Sequence, residues 1–147
     1  MNTSNIIYTL ATTEDELAIF DLLKKLEGDR SNFDLTRFCV ARDGNKLVGC
    51  VRTKDFGNNC LELASLAVDK EYQHQGIGSR LVRELIIKEQ GQQFFLLTSD
   101  DKEMFYKKFN FNIISPSELP LEFKKEYNRI INLPFAKNLQ VIAMAIL

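Results

Sequence analysis

Residues 61–88 set the strongest limit on what this chain can fold into. Leu61-Glu62-Leu63-Ala64-Ser65-Leu66-Ala67-Val68 is apolar at most positions with little alternation, the mark of a strand buried on both faces. Beyond a polar stretch holding Gly76 and Gly78, the residues Leu81, Val82, Leu85 and Ile86 recur at helical spacing, and the stripe ends near Gly91. A buried strand that feeds through glycines straight into an amphipathic helix belongs to a layered architecture in which helices cover a sheet. The rest of the chain must then supply the neighbouring strands and the other cover.

Residues 6–10 form a short β-rich run. Thr13 then opens a helix, with Glu16 completing a capping box, and Leu17, Phe20, Leu23 and Leu26 follow before Gly28 at the C-terminal cap. After an irregular polar stretch, 29–36, the apolar run Phe38-Cys39-Val40 leads to the turn signal Asp43-Gly44-Asn45. A second strand then runs from Lys46 to about Lys54, making a β-hairpin. Asn58-Asn59 marks a further turn. Residues 94–98 read as a strand, and Asp100 with Glu103 can cap a helix carrying Phe105 and Phe109 at i and i+4. Ile113-Ile114 is a short strand, Pro120 suits the first turn of a helix reaching about Asn128, and 140–147 closes as a strand. The expected class is α/β (an α+β mixed sheet) with helices on both faces of a central mixed sheet, in one domain over residues 1–147. A length of 147 residues fits one domain with a full core.

Composition narrows the classes of function. Lys and Arg number 19 against 20 Asp and Glu, a net charge of −1, so no nucleic-acid partner is expected. Cys39, Cys50 and Cys60 are three in number without CxxC spacing, which reads as reduced, mostly buried thiols and gives no metal site. The start, Met1-Asn2-Thr3-Ser4-Asn5, has no basic segment followed by an apolar run, and no stretch approaches the ~18 apolar residues of a membrane span. A cytoplasmic protein without a membrane partner is expected.

The chemistry concentrates in Val68-Asp69-Lys70-Glu71-Tyr72-Gln73-His74-Gln75-Gly76-Ile77-Gly78-Ser79-Arg80-Leu81. Amides at a helix N-terminus lack intrahelical acceptors, and the helix dipole adds partial positive charge there. Successive amides over residues 75–79 can therefore wrap a phosphate pair, with glycine allowing close approach. A Walker loop requires Gly-x4-Gly-Lys-Ser/Thr, which is absent from the sequence. A dinucleotide fingerprint requires a third glycine where Leu81 stands. What remains is Gln-x-x-Gly-x-Gly at Gln73, Gly76 and Gly78.

Preceded by Leu66-Ala67-Val68-Asp69 and followed by Arg80-Leu81-Val82, this pattern resembles the signature of the GNAT superfamily of N-acetyltransferases. The resemblance implies a single-domain acyl-CoA N-acyltransferase fold with acetyl-CoA as cosubstrate and no metal. It places Leu66, Ala67 and Val68 on a strand whose backbone pairs with the pantetheine arm. Gln73, His74, Gln75, Gly76, Ile77, Gly78 and Ser79 would hold the pyrophosphate, mainly through main-chain amides. In the family two neighbouring parallel strands splay to admit the thioester, and residues 61–68 and 94–98 are the candidates. Ser99 stands where relatives often carry an asparagine facing the cofactor; a helix N-cap is the equal competitor. His74, the only histidine, sits in the phosphate turn, where a solvent-facing or phosphate-side place suits it better than catalysis.

Acetyl transfer needs a neutral amine and a proton for the leaving thiolate. Phe105-Tyr106-Lys107-Lys108-Phe109-Asn110-Phe111 resembles the family's Tyr-x-x-x-Gly-Phe pattern, which makes Tyr106 the candidate general acid and a cofactor contact; a structural tyrosine is the alternative. Asn110 replaces the usual glycine, and asparagine enters the left-handed region more readily than most residues. Glu62, where some family members carry a catalytic glutamate, is the candidate base, against an ion-paired edge glutamate. Simple alternation puts it on one face with Ala64 and Leu66 unless a bulge intervenes.

Further segments, Leu96-Leu97-Thr98, Glu118-Leu119-Pro120 and Ala143-Met144-Ala145-Ile146-Leu147, look like the amino-acid N-acetyltransferase branch, whose members make N-acetylglutamate. That implies a small-molecule amine acceptor; a monomer or homodimer is expected. Arg37, Arg42, Arg52 and Arg129 are the unranked cations for an acidic substrate. A non-catalytic acyl-CoA-binding domain and a protein N-terminal or lysine acetyltransferase are the rivals; a mere binder needs neither Tyr106 nor Glu62.

Overall fold

The computed structural model describes residues 5–147, so the first four residues of the N-terminal stretch lie outside it. The chain divides into two compact units, one built from residues up to Lys54 together with Leu63–Gln90, the other from Asp55–Glu62 with Gly91–Leu147.

The first unit contains β1 (Ile6–Leu10), α1 (Glu16–Lys25), β2 (Phe38–Asp43), β3 (Lys46–Asp55), most of β4 (Cys60–Val68) and α2 (Ile77–Lys88). Its hydrogen-bonded strand order is β1-β2-β3-β4. The β2–β3 hairpin turns at Gly44, whose φ of 58° suits the tight connection the Asp-Gly-Asn signal predicts. From α1, Ile19, Leu22 and Leu23 pack with Phe38, Val40, Cys50 and Ala67. A Cβ built on Gly49 would stand 3.0 Å from Leu81 Cδ1 and 3.5 Å from Ile77 Cγ2, both on α2. Gly49 and Cys50 are successive in β3 and so face opposite ways. Within this unit, then, one helix covers each face.

Three details differ from expectation. The capping box is Thr12 with Asp15: the Thr12 amide donates to the Asp15 carboxylate at 2.8 Å, and a 3-10 turn, Thr13–Asp15, leads into α1. Leu17 and Phe20 are exposed, and the buried stripe is Ile19, Leu22, Leu23. A strict three-residue spacing precesses about 60° per step around a 3.6-residue helix, so Leu17, Phe20, Leu23 and Leu26 do not share a face. At the end of α1, Glu27 takes the left-handed conformation, φ 59°, while the Gly28 amide donates to the Leu23 carbonyl at 2.7 Å. Gly28 is small because a Cβ there would lie 2.9 Å from Leu23 Cδ2.

The second unit holds the start of β4, β5 (Gln93–Ser99), α3 (Glu103–Lys107), β6 (Asn112–Ile114), α4 (Leu121–Ile131) and β7 (Val141–Ile146), in the order β4-β5-β7-β6. β4 and β5 run parallel, pairing Cys60 with Gln93, Leu61 with Phe94 and Glu62 with Phe95. β7 lies antiparallel between β5 and β6. Its core gathers Cys60, Phe95, Leu119, Phe123, Ala143 and Ala145, with the Phe123 ring tilted against Phe95 and edge-to-face with Phe56. Pro120 occupies the N-cap position of α4, and the helix runs to Ile131, three residues beyond the predicted end. Helix α3 is a single turn; Phe109 lies past it, although its ring still meets Phe105 at 5.4 Å. All three cysteines are free and buried.

Candidate active site

The turn between β4 and α2 is braced before it reaches its glycines. Asp69 accepts from the Glu71 amide at 3.1 Å and its own amide donates to the Val48 carbonyl at 2.8 Å, which anchors the strand end. Tyr72 is buried and donates to Asp43 at 2.6 Å. The Gln73 side chain reaches back to the Val68 carbonyl at 2.8 Å. The glutamine of the Gln-x-x-Gly-x-Gly pattern therefore closes the loop onto the strand.

The main chain beyond Gln73 is curved by left-handed residues. His74 has φ 64° and Gly76, the N-cap residue of α2, has φ 85° and ψ 3°. Alternation of left-handed with ordinary conformations turns successive amides towards one side, a concavity suited to anions. The first backbone bond of the helix runs from Arg80 N to Gly76 O at 3.0 Å, which places Ile77 and Gly78 in the first turn, where helix geometry supplies their amides with no intrahelical acceptor. Nothing lies within 4 Å of a Cβ built on Gly76. Glycine is required there by its backbone angle, and the space above it is open. The His74 side chain is exposed. Ile77 is buried and anchors the first helical turn, in which Gly78 and Ser79 are half-buried.

Strand β4 is not regular. Ser65 has φ 57°, a left-handed residue inside a strand, which breaks the alternation carried from Glu62 through Ala64. Leu66 therefore does not continue the Glu62 face in simple two-residue register. After the break Leu66 and Val68 are half-buried and Ala67 is buried. Glu62 is only 6% exposed, opposite Phe95 in the parallel ladder, so it is no solvated edge carboxylate.

Tyr106 lies on α3, half-buried, its ring 4.9 Å from Phe105 and 6.0 Å from Phe111. Burial pushes its phenol up to about 12. The Tyr106 carbonyl accepts from the Phe109 amide at 3.0 Å and the Phe111 amide at 3.4 Å, a turn closed by Asn110 at φ 73°. Asparagine does here what glycine does in the pattern. Ser99 ends β5 at the N-cap position of a 3-10 turn, Asp100–Lys102, and its hydroxyl donates to the Asp101 carboxylate.

The sequence pattern of the acetyltransferase (GNAT) domain matches residues 34–113, more than half of the chain, including the whole glycine turn and Tyr106. The chain belongs to the GNAT family. An amino-acid acetyltransferase of Neisseria meningitidis is 35% identical over 106 residues, which cover 69% of this chain and 23% of that protein. This GNAT chain thus spans about a quarter of that relative's length. Among solved structures, N-acetylglutamate synthase from Neisseria gonorrhoeae, complexed with coenzyme A and N-acetyl-glutamate, shares the fold at TM-score 0.76 and 22% identity, over 95% of this chain and 34% of that one. Rv2747 from Mycobacterium tuberculosis, complexed with CoA, does so at TM-score 0.73 and 24% identity, over 96% and 98%.

In this GNAT domain the four arginines already have protein partners. Arg37 pairs with Glu89 at 3.6 Å, Arg42 with Asp15, and Arg129 with Glu126 at 2.6 Å. Arg52 is 1% exposed and donates to Ser65 Oγ at 2.8 Å, the Asp29 carbonyl at 3.1 Å and the Asn32 carbonyl at 3.2 Å. Sequence reasoning missed the buried cluster around it. Lys54 Nζ stands 3.0 Å from Asp29 Oδ2 and 3.2 Å from Ser31 Oγ. Burial alone would raise the Asp29 carboxyl, but Ser31, through side chain and backbone, and Lys54 outweigh it and hold it down at about 2. The available signal was Arg52-Thr53-Lys54, a polar run ending a strand otherwise apolar on both faces. No described helix is long and apolar enough to cross a membrane.

Proposed function

We propose that residues 1–147 act as one acetyl-CoA-dependent N-acetyltransferase domain that acetylates the primary amine of a small molecule, an amino acid being the best-supported class. The observation that carries this is the turn into α2, with His74 and Gly76 both left-handed and open space around a Cβ built on Gly76. Amides at such a turn suit a diphosphate, and the space around a Cβ built on Gly76 is open. The amino-acid acetyltransferase of Neisseria meningitidis supports the acceptor class.

Acetyl-CoA would supply an activated acyl thioester. The amides of residues 74–79 hold its pyrophosphate, and the backbone of Leu66, Ala67 and Val68 pairs with the pantetheine arm. As the amine attacks the thioester carbonyl, a C–N bond forms, the C–S bond breaks, and Glu62 takes the proton released by nitrogen. An α-amine of pKa near 8 is about a tenth neutral at pH 7, whereas a lysine near 10.4 is almost wholly charged, so a modest base suffices for the former. Tyr106 donates to the departing sulfur. With the phenol at about 12 and a thiol near 8.5, outright proton transfer is uphill by about 3.5 units, or roughly 5 kcal/mol, well below an ordinary enzymatic barrier. A hydrogen bond that strengthens as thiolate charge develops is the larger share of its work. Ser99 and His74 have no chemical step in this scheme. A substrate side-chain carboxylate would have to draw an arginine away from its present partner. No nucleic acid is involved, and the domain works as a monomer or homodimer.

The test is binding first and turnover second. Acetyl-CoA at a hundredfold excess over its Kd adds about 2.7 kcal/mol of stability, roughly 5–10 °C in Tm for this size. A melting curve indifferent to millimolar acetyl-CoA would end the proposal. Thiol release against a panel of amino acids and polyamines then names the acceptor, and Glu62→Gln should lower kcat/KM for the amine by about tenfold or more.

A further inference from the structure

Two non-glycine residues of the first unit stand in the left-handed region and touch the same side chain. Ser65, φ 57°, interrupts β4, and Asn32, φ 50°, lies in the segment after α1. The Arg52 guanidinium reaches Ser65 Oγ through Nε at 2.8 Å and the Asn32 carbonyl through Nη1 at 3.2 Å; its third nitrogen reaches the Asp29 carbonyl at 3.1 Å. Ser65 Oγ donates in turn to the same Asp29 carbonyl at 2.6 Å, and the Ser65 carbonyl accepts from the Cys50 thiol at 3.5 Å. Asparagine enters the left-handed region readily, but serine inside a strand does so at a cost that its surroundings must offset, so Ser65 is the position that needs holding. Here the guanidinium is what both positions share, and its planar fork is suited to fix several acceptors at once.

We propose that Arg52 is a positioning residue for acetyl-CoA: by locking Ser65 in the left-handed conformation it sets the register of Leu66, Ala67 and Val68, the backbone that meets the pantetheine arm. This rests on the cofactor assignment above. Each guanidinium nitrogen has a protein acceptor, so Arg52 acts through Ser65 and is not the contact for an acidic acceptor. The strand conformation, more than the hydroxyl itself, is what reaches the cofactor.

Ser65→Gly and Ser65→Ala separate the two. Both remove the hydroxyl, but glycine enters the left-handed region freely and alanine does not. Ser65→Gly should bind acetyl-CoA within about threefold of the wild type, and Ser65→Ala about tenfold more weakly. Arg52→Met should weaken acetyl-CoA similarly, with KM for the amine moving less, and adding Ser65→Gly to it should restore some of the loss. Without ligand, Ser65→Gly should melt a few degrees above Ser65→Ala. Equal cofactor affinities for the two Ser65 variants would overturn the lock, as would an Arg52→Met protein that keeps acetyl-CoA affinity while its amine KM rises. If Arg52→Met does not fold, the Ser65 pair decides alone. A wild type that ignores acetyl-CoA would sink the cofactor assignment, and the ligand-free melting order would still judge whether the backbone at Ser65 is held as argued.

Discussion

The turn after β4 and the short helix carrying Tyr106 are two kinds of candidate site. In the first, residues 69–79, side chains face inward as braces: Asp69, Tyr72 and Gln73 each bond to the protein's own groups, and the main chain is presented. In the second, the main chain is what is tied up, the Tyr106 carbonyl accepting two amides, and the ring sits half-buried in an aromatic surround of Phe105 and Phe111. A phosphate cradle needs several donors of one kind whose spacing the backbone fixes. A proton donor needs one group of the right acidity at one atom. Substitutions should therefore fail differently: side-chain truncation harms the second region and backbone constraint harms the first.

The largest effect is expected from Tyr106→Phe, which removes a single oxygen from a packed ring. Turnover should fall about a hundredfold, while the melting shift given by acetyl-CoA stays as in the wild type. Loss of turnover accompanied by loss of the shift would mean that the ring shapes the cofactor site, and the contrast between the regions would blur. Next comes Gly76→Ala. A Cβ at φ 85° is strained wherever there is room for it, at about 1–2 kcal/mol, and it would also project into the open space above the turn. Acetyl-CoA affinity should drop about tenfold with kcat at saturation changed little. His74→Ala, by comparison, keeps the main chain and should leave affinity within about threefold, since the ring is exposed and the braces of the turn are Asp69, Tyr72 and Gln73.

This difference in kind also explains what could be read from the sequence. Glycine spacing after an apolar strand reports a backbone requirement directly, so the turn at Gly76 was legible, as was the hairpin turn at Gly44, whereas Gly78 lies inside α2 without a left-handed angle. Asn110 was legible for the same reason: it is one of the few side chains that tolerates φ 73°. Ser65 was not, because nothing in serine's chemistry announces a left-handed residue inside a strand; what stabilises it comes from Arg52, thirteen residues away. Arg52 was named as a candidate cation, but its burial and that of Lys54 escaped, because buried cations depend on Asp29, a partner from the irregular segment after α1. The face of α1 was misjudged since Leu17 and Phe20 are as apolar as Ile19 and Leu22, and only tertiary packing decides between stripes.

The buried cluster around Asp29 gives a smaller, pH-dependent effect. Its carboxyl is depressed to about 2 from an ordinary 3.8, so the folded state binds a proton less readily than the unfolded one. Stability from this group is fully present above pH 4 and is lost as pH falls from 4 through 2. Asp29→Asn should lower Tm at neutral pH, and the gap from the wild type should narrow across that acid window. A gap constant from pH 7 to pH 2.5 would show that the carboxylate's charge is not what holds Ser31 and Lys54.

The smallest effect tests whether the Tyr106 region is limited by its side chain alone. Asn110 closes the turn that delivers Phe111 into contact with the Tyr106 ring, and it does so at a backbone angle glycine adopts without strain. Asn110→Gly relieves the left-handed conformation but frees the unfolded chain, two terms of similar size and opposite sign, so Tm should move by no more than about 2 °C. Asn110→Ala keeps a Cβ and loses asparagine's tolerance of that angle, and it should cost about 1 kcal/mol. Since the main chain here only carries the phenol, turnover should follow neither change in stability: both variants should retain kcat within about twofold at a temperature where they are folded. If Asn110→Ala instead lowered kcat in step with Tm, the backbone around Tyr106 would belong to catalysis as much as the backbone around Gly76, and the two regions would differ only in which group they expose.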